Sequence, residues 1–184
     1  RFDSLEFGVN LRERVLAAVP TDGAAPETQV VELEELTLDD EPLDAWLKER
    51  RTDGLAVYLT GNATPGQGDV VALAIVDKQR HAVSKLASDL SADEDAALQQ
   101  WLESEAPKFM HEAKAAHHML RGRGIELRGV AHDTAIAAYL LRPGQRTYAL
   151  EDIYQRHLQR QLNVGTDQMS LLGDTADVDA AAAI

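Results

Sequence analysis

One run of eight residues constrains the fold of this chain more than any other. Asp69–Val76 (sequence DVVALAIV) is apolar at every position after the first. A strand that is apolar on both of its faces belongs to a sheet that is covered on both sides. Turn-forming residues precede the run at Gly61–Gly68, and a further strand-like segment, His81–Leu86, follows it. The run therefore predicts an interior strand of a sheet that carries helices on its two faces.

Strands and helices alternate along most of the chain. Gly54–Thr60 and the two later segments predict a three-stranded meander. Ser91 and Glu94 have the spacing of a capping box, which predicts a helix start, and Asp133 precedes an apolar segment that it is expected to cap. The remaining predicted elements are a helix to about Ser104, a strand over 108–111, a helix over 112–120, and helices over 134–141 and 150–162. This pattern predicts an α/β domain with a mixed β-sheet flanked by helices.

The two ends of the chain carry shorter patterns. Leu5–Leu16 predicts a helix or a helical turn that is interrupted near Gly8–Asn10, and Gln29–Leu33 predicts a short strand. Asp40–Glu49 predicts a further helix, with Asp40 as its cap. Residues 165–184 are small, acidic and rich in alanine, and we expect a mobile loop that leads into a helix cut off by the chain end. The length of 184 residues fits a single domain over 1–184.

Charge and composition exclude several classes of function. The formal net charge of −13 is opposite to that of a free-standing nucleic-acid binder. The acidic segments Glu32–Asp44 and Asp89–Glu105 lack EF-hand spacing and are interpreted as solvated surface. The absence of cysteine excludes thiolate catalysis, and no run approaches the roughly 20 apolar residues of a membrane span. One basic concentration has three open interpretations, namely contact with DNA, contact with an acidic neighbouring domain, or solvated surface; it consists of Arg121, Arg123, Arg128, Arg142 and Arg146.

Several short motifs follow one another in the second half of the chain. Lys114 is followed by Gly124-Ile-Glu-Leu-Arg-Gly129, then by Asp133-Thr134 and by Ala138-Tyr-Leu-Leu141. This order resembles the 3′–5′ exonuclease domain of the bacterial DNA polymerase I family (family A). The resemblance extends from about residue 7 to residue 162. It implies a ribonuclease H-like fold of the DnaQ-like exonuclease type.

An active member of that family removes a 3′ nucleotide with two divalent metal ions, which clustered carboxylates hold. The resemblance implies a D-x-E motif on the first strand, an aspartate on the middle helix and a late Y-x-x-x-D motif. Here the first three acids are missing, and no tyrosine occurs after Tyr154. We therefore expect no catalytic residue, no metal site and no cofactor in this domain. The degenerate exonuclease positions are Val57, Tyr58, Leu59, Thr60 and Ala116.

A few acids near these positions keep alternative interpretations. Asp133 is either a surviving metal ligand or a helix cap, and its place before an apolar helix favours the cap. Glu112 is either a metal ligand or an exposed acid at a helix start. Three late acids, Asp174, Asp177 and Asp179, lack the tyrosine and the helical context and are not expected to replace the late motif. A zinc site is disfavoured, because Ala115 stands four residues after His111 and breaks the H-E-x-x-H pattern.

Three functional hypotheses follow from the resemblance. The first is a catalytically inactive exonuclease-like domain that acts as a structural spacer and supports the polymerase domain of the same chain in DNA replication and repair. The second is an active 3′–5′ exonuclease whose atypical metal site uses Glu112 and Asp133. The third is an interaction module on the nuclease fold, which a large exposed apolar patch would favour.

The resemblance also has implications for the parent protein. It implies a DNA-directed DNA polymerase that requires Mg²⁺ for nucleotidyl transfer and contacts DNA outside this domain. The polymerase domain of the same chain is the expected partner of this domain. We expect the parent protein to be a monomer that is cytoplasmic, associated with the nucleoid through its DNA, and not bound to a membrane.

Overall fold

The computed structural model describes residues 36–50, 52–159, 161–162 and 175–184. All of these residues fall within one unit of the chain, Glu32–Ile184. The helix predicted over Leu5–Leu16 and the strand predicted over Gln29–Leu33 lie outside the described residues. The expected mobile loop after residue 165 also lies outside them, up to residue 174. A single domain over 1–184 stays a prediction.

Helices and strands in the described residues follow the predicted order. The strands are β1 (Thr37–Leu38), β2 (Leu55–Asn62), β3 (Asp69–Val76), β4 (His81–Leu86), β5 (Lys108–Met110) and β6 (Val130–Asp133). The helices are α1 (Leu43–Arg50), α2 (Ala92–Leu102), α3 (Ala113–Gly122), α4 (Thr134–Leu141), α5 (Leu150–Leu158) and α6 (Thr175–Ala182). None of these helices has both the length and the apolar character needed to cross a membrane. The predicted elements within the described ranges are confirmed to within a few residues, and the strands β1 and β6 are additional.

The strands form one sheet in the order β1-β4-β3-β2-β5-β6. The meander of β2, β3 and β4 is antiparallel, whereas β5 pairs in parallel with both β2 and β6, and β1 pairs in parallel with β4. The predicted mixed sheet is therefore confirmed. Val57 pairs with Met110, which in turn pairs with Asp133, so the carboxyl ends of β5 and β6 lie side by side, next to Val57 of β2.

Helices cover both faces of the sheet, as the apolar run of β3 predicts. Leu73 and Ile75 enter a core that contains residues of α1, α2 and α3. Ala74 and Val76 enter a second core that contains Val178 of α6. Alternate side chains of β3 therefore meet two different helical layers, which explains why polar residues are absent from the interior of this strand.

The start of α1 differs from the prediction. The proposed Asp40 cap is wrong, because the first helical residue is Leu43. The amide of Leu43 donates a hydrogen bond to Glu94 Oε1 on α2, at 2.9 Å. Glu94 also completes the predicted capping box with Ser91. The Glu94 carboxylate therefore accepts hydrogen bonds at the amino ends of both α1 and α2. This contact between two helices takes the place of a local cap on α1.

The loop after β2 packs closely against α3. A Cβ atom added to Gly68 would lie 1.8 Å from the backbone oxygen of His118, and one added to Gly122 would lie 1.7 Å from the backbone oxygen of Gly68. Two backbones therefore approach without any intervening side chain. This contact holds α3 beside the end of β2, where the candidate site lies.

Gly68→Ala is expected to lower the free energy of unfolding by about 1–3 kcal/mol, because the added methyl group overpacks this contact. Replacement of a glycine by alanine usually stabilises a protein by about 0.4–1 kcal/mol where the backbone and the surrounding space accept the methyl group. A loss of stability in Gly68→Ala would therefore indicate the steric clash. Urea unfolding of this chain measures it. Gln67→Ala in the same exposed loop is the control and should change the value by less than about 0.5 kcal/mol. A more stable Gly68→Ala protein would contradict the close approach.

Candidate functional site

A cleft of about 230 Å³ lies beside the carboxyl end of β2. Because β2 pairs in parallel with β5, the turn from β5 into α3 lies next to that end. The cleft thus collects positions that are distant in sequence, and all five degenerate positions are among them. Its lining residues are Val57, Tyr58, Leu59, Thr60, Gly61, Met110, His111, Glu112, Ala115, Ala116 and Met119.

Alternation along β2 divides the degenerate strand positions between two faces. Val57 and Leu59 are buried in the same core as Ala116. Tyr58 and Thr60 lie on the opposite face and are half-buried, and Tyr58 packs against the second core. The two acids of a D-x-E motif share one face of a strand, because residues two apart point the same way. Tyr58 with Thr60 and Val57 with Leu59 both have this spacing, and Tyr58 and Thr60 are the pair that is not buried in the first core.

Carboxylates lie near the Tyr58 side chain. Burial raises the pKa of the Tyr58 phenol to about 12, and the negative charges of Asp177, Glu151 and Glu112 contribute to the rise. Thr60 Oγ1 lies 3.5 Å from Asp177 Oδ2, at the limit of a hydrogen bond. The cleft end of β2 is thus surrounded by negative charge although its own residues are neutral.

Sequence reasoning set aside Asp177 and did not single out Glu151. The expectation that Asp177 lacks a helical context is wrong, because Asp177 lies in α6. Val178 and Ala181 are three residues apart and pack on the sheet, and this spacing is the signal that could have placed Asp177 within the helix expected at the end of the chain. Glu151 lies in the first turn of α5, and no motif distinguishes it from other acids at helix starts.

Asp133 is the N-cap of α4, as predicted. Its Oδ1 accepts hydrogen bonds from the amides of Ala135 (2.9 Å) and Ile136 (3.3 Å). The same carboxylate reaches the start of α3, where Oδ1 accepts from the amide of Glu112 (3.2 Å) and Oδ2 from that of Ala113 (2.8 Å). Backbone donors therefore engage both oxygens, and Asp133 joins the amino ends of two helices.

Glu112 occupies the N-cap position of α3. Its backbone is left-handed (φ 54°, ψ 54°), and its side chain makes no capping hydrogen bond. The side chain is exposed, which confirms the interpretation as an exposed acid at a helix start. Glu112 thus lies at the mouth of the cleft, next to the turn that Asp133 holds.

The histidines near α3 do not converge on a common point. His111 Nδ1 lies 2.8 Å from Thr134 Oγ1, and burial lowers the pKa of this histidine. The rings of His117 and His118 meet edge to face at 5.9 Å. Within the described ranges, no group of three or more His, Asp or Glu side chains is arranged to hold a metal ion. The donor set of the cleft therefore does not fit a pair of divalent ions.

Part of the basic concentration is neutralised inside this domain. Arg123 pairs with Asp95 at 3.1 Å, and Arg128 pairs with Glu126 at 2.8 Å. Arg121, Arg142 and Arg146 are exposed. Because these arginines do not form one uniformly basic surface, the interpretation as a DNA-contacting patch loses support.

Comparison with known proteins identifies close relatives of the chain. The family model of the DNA polymerase I ribonuclease H-like domain matches residues 60–169. DNA polymerase I of Mycobacterium bovis and of Mycobacterium tuberculosis is 41% identical over 185 residues, and that of Mycobacterium leprae is 38% identical over 186 residues. These alignments cover 97% of this chain but only 20% of each relative. The chain therefore spans about one fifth of the length of the curated relatives it matches.

Solved structures agree on the family and the fold. The POL domain of Pol1 from M. smegmatis, in complex with DNA primer-template and dNTP, matches with a TM-score of 0.65 and 41% identity, over 80% of this chain and 26% of that chain. RNase D of Escherichia coli matches with a TM-score of 0.59 and 17% identity, over 83% of this chain and 42% of that chain, which shows the fold alone. The expected ribonuclease H-like exonuclease fold is confirmed. The chain belongs to the DNA polymerase I family, of which it carries the exonuclease-like, ribonuclease H-like domain.

Proposed function

We propose that this domain is a catalytically inactive exonuclease-like domain that acts as a structural spacer in a DNA polymerase I. One observation carries the proposal: Tyr58, Thr60 and Ala116 meet at one cleft in the places where the family's acids are expected. None of the three can offer a carboxylate to a hard divalent ion, which prefers oxygen ligands. Without bound metal, no water is activated and no leaving oxygen is stabilised.

The neighbouring acids support this proposal rather than a rebuilt metal site. Asp133 is engaged by four backbone amides, and the side chain of Glu112 is exposed. Asp177 reaches the cleft end of β2, where its Oδ2 lies 3.5 Å from the Thr60 hydroxyl. In the absence of metal ions, these negative charges disfavour the approach of a DNA phosphate, since like charges repel.

The spacer role rests on the family. Each relative is about five times as long as the aligned segment, and the M. smegmatis relative was solved with DNA primer-template and dNTP. We infer that the parent protein is a DNA-directed DNA polymerase that acts in replication and repair. Its polymerase domain would contact DNA and use Mg²⁺, as a cytoplasmic monomer, while the domain described here supplies a rigid surface beside it.

Measurement of 3′-end degradation tests the proposal. Labelled single-stranded DNA and a mismatched primer are incubated with the parent polymerase and Mg²⁺ or Mn²⁺, with an active 3′–5′ exonuclease as positive control. The expected result is no metal-dependent trimming, because the cleft lacks the carboxylates that hold two metals.

Metal-dependent trimming in this assay contradicts the proposal only if substitution of the acids near the cleft abolishes it. Trimming that is lost in Glu112→Gln, Asp133→Asn or Asp177→Asn would overturn the proposal and reveal an atypical metal site. Asp95→Asn, which changes an acid on α2 outside the cleft, is the matched control for the loss of one negative charge. Equal trimming by all four variants and the parent enzyme would indicate a contaminating nuclease.

An interaction role is a second candidate, and one specific observation favours it. Four large apolar side chains of α4 are exposed, as a binding surface requires. This role is compatible with an inactive cleft, since the two features involve different residues.

A further inference from the structure

Helix α4 presents its large apolar side chains to solvent and its small ones to the protein. Leu140 and Leu141 are 72% and 73% exposed, and Ile136 and Tyr139 are 57% and 53% exposed. Ala138, by contrast, is 7% exposed. A helix at the surface of an isolated domain normally has the opposite arrangement, with its bulky apolar residues inside. The α4 face, defined as Ile136, Tyr139, Leu140 and Leu141, therefore has the character of a covered surface.

This surface is held in place by the segment that follows it. The Tyr148 hydroxyl donates to the backbone oxygen of Arg142 and accepts from the amide of Gln145, both at 3.0 Å. The ring of Tyr148 meets that of Tyr139 edge to face, at 5.6 Å between centroids. The α4 face is thus fixed before any partner binds, which reduces the entropy lost on binding.

Charge discriminates between the possible partners. The eight residues of α4 carry no charged side chain, whereas phosphate binding requires Lys or Arg on the contact surface. A second copy of the chain would bring together two molecules of net charge −13, which repel each other. The surface therefore suits an apolar protein surface. The exposed Arg142 and Arg146 follow the helix and favour carboxylates at the border of that surface.

We propose that the α4 face docks onto the polymerase region of the same parent chain. This inference rests on the proposed function. About four fifths of each relative lies outside the aligned segment, and the M. smegmatis chain that contains the matching segment also contains the POL domain. A tethered surface is present at high effective concentration, so even a contact of modest area is stably occupied. The complementary surface is an apolar hollow bordered by Asp or Glu.

Photo-crosslinking in the full-length parent polymerase tests the docking. A photoreactive phenylalanine analogue replaces Leu140, and in a matched control it replaces Leu38, which is 51% exposed in β1. After irradiation, mass spectrometry of the peptides identifies the partner segment. We expect the analogue at position 140 to crosslink within the same chain to the polymerase region, with a yield roughly tenfold above that at position 38.

Two other outcomes overturn the proposal. Crosslinks between two molecules would assign the α4 face to a second copy. A yield at position 140 equal to that at position 38 would show that no protein surface covers it. Neither outcome affects the proposed lack of exonuclease activity, which the degradation assay decides separately.

Amide exchange provides a second readout that does not depend on the crosslinker. In the full-length polymerase, Leu140→Asp is expected to speed exchange of the Ile136–Leu141 amides roughly tenfold, because an undocked helix opens more often. Gln99→Asp, at an exposed position of α2, serves as the control for an added charge. Unchanged exchange in Leu140→Asp would contradict the docking.

Discussion

Replacing Glu94 by alanine is expected to lower the free energy of unfolding by about 2–4 kcal/mol. The Glu94 side chain is almost fully buried, and its Oε1 accepts from the amide of Leu43 at 2.9 Å. Its Oε2 accepts from the amide (2.9 Å) and the hydroxyl (2.8 Å) of Ser91. The alanine variant leaves the amides of Leu43 and Ser91 without this acceptor, and a buried unsatisfied donor costs about 1–3 kcal/mol. Urea unfolding measures the loss.

The loss should depend on pH in a defined direction. Hydrogen bonds from the Leu43 amide and from Ser91 hold the pKa of Glu94 below the ordinary glutamate value. A carboxyl group with a lowered pKa in the folded state stabilises the protein fully above its unfolded pKa, which is about 4.3 for glutamate. The difference between the two proteins should therefore be constant near neutral pH. It should shrink as the pH falls through the lowered folded pKa.

Asp93→Ala is the matched control for Glu94→Ala. Asp93 lies one residue earlier in the first turn of α2 and is exposed, so its removal should cost less than about 1 kcal/mol. Equal losses from both substitutions would show that the helix dipole, rather than the two specific hydrogen bonds, accounts for the effect. A pH-independent loss in Glu94→Ala would contradict the role of the ionised carboxylate.

Sequence reasoning predicted the fold where local chemistry and tertiary packing agree. The apolar run of β3 indicated two covered faces because each alternate side chain meets a different core. Ser91 and Asp133 were predictable caps because a helix start has its own local signature. The prediction for the start of α1 was wrong because the first amide of this helix donates to Glu94, 51 residues away. No local sequence pattern encodes that hydrogen bond.

The candidate site was predictable in its positions but not in its surroundings. Motif order located Ala116 and the neutral residues of β2, and the parallel pairing of β2 with β5 brings them to one cleft. The approach of Asp177 and Glu151 to Tyr58 was not foreseen, because it arises only through the packing of α6 and α5. The exposure of Leu140 was equally hidden, since an apolar helix in sequence does not reveal which of its faces a domain leaves open.

Asp133→Ala is expected to lower the free energy of unfolding by about 2–4 kcal/mol. Loss of an N-cap alone costs about 0.5–2 kcal/mol, and this carboxylate serves the amino ends of both α3 and α4. Both helices begin at the Asp133 carboxylate, so their loosening should also speed proteolysis of the segment between them. Urea unfolding measures the first effect, and limited proteolysis measures the second.

Asp133→Asn separates the capping role from metal binding. Asparagine keeps one oxygen acceptor for the amides at the start of α4 but turns an NH₂ group toward the amide of Ala113, so about half of the loss should remain. A capping carboxylate stabilises the protein equally with and without Mg²⁺, whereas a metal ligand adds stability only when Mg²⁺ is present. We therefore expect the same loss for Asp133→Ala in EDTA and in millimolar Mg²⁺. A loss that grows with Mg²⁺ would return Asp133 to the metal site and would reopen the exonuclease hypothesis, because the remaining acids at the cleft would then have a metal to share.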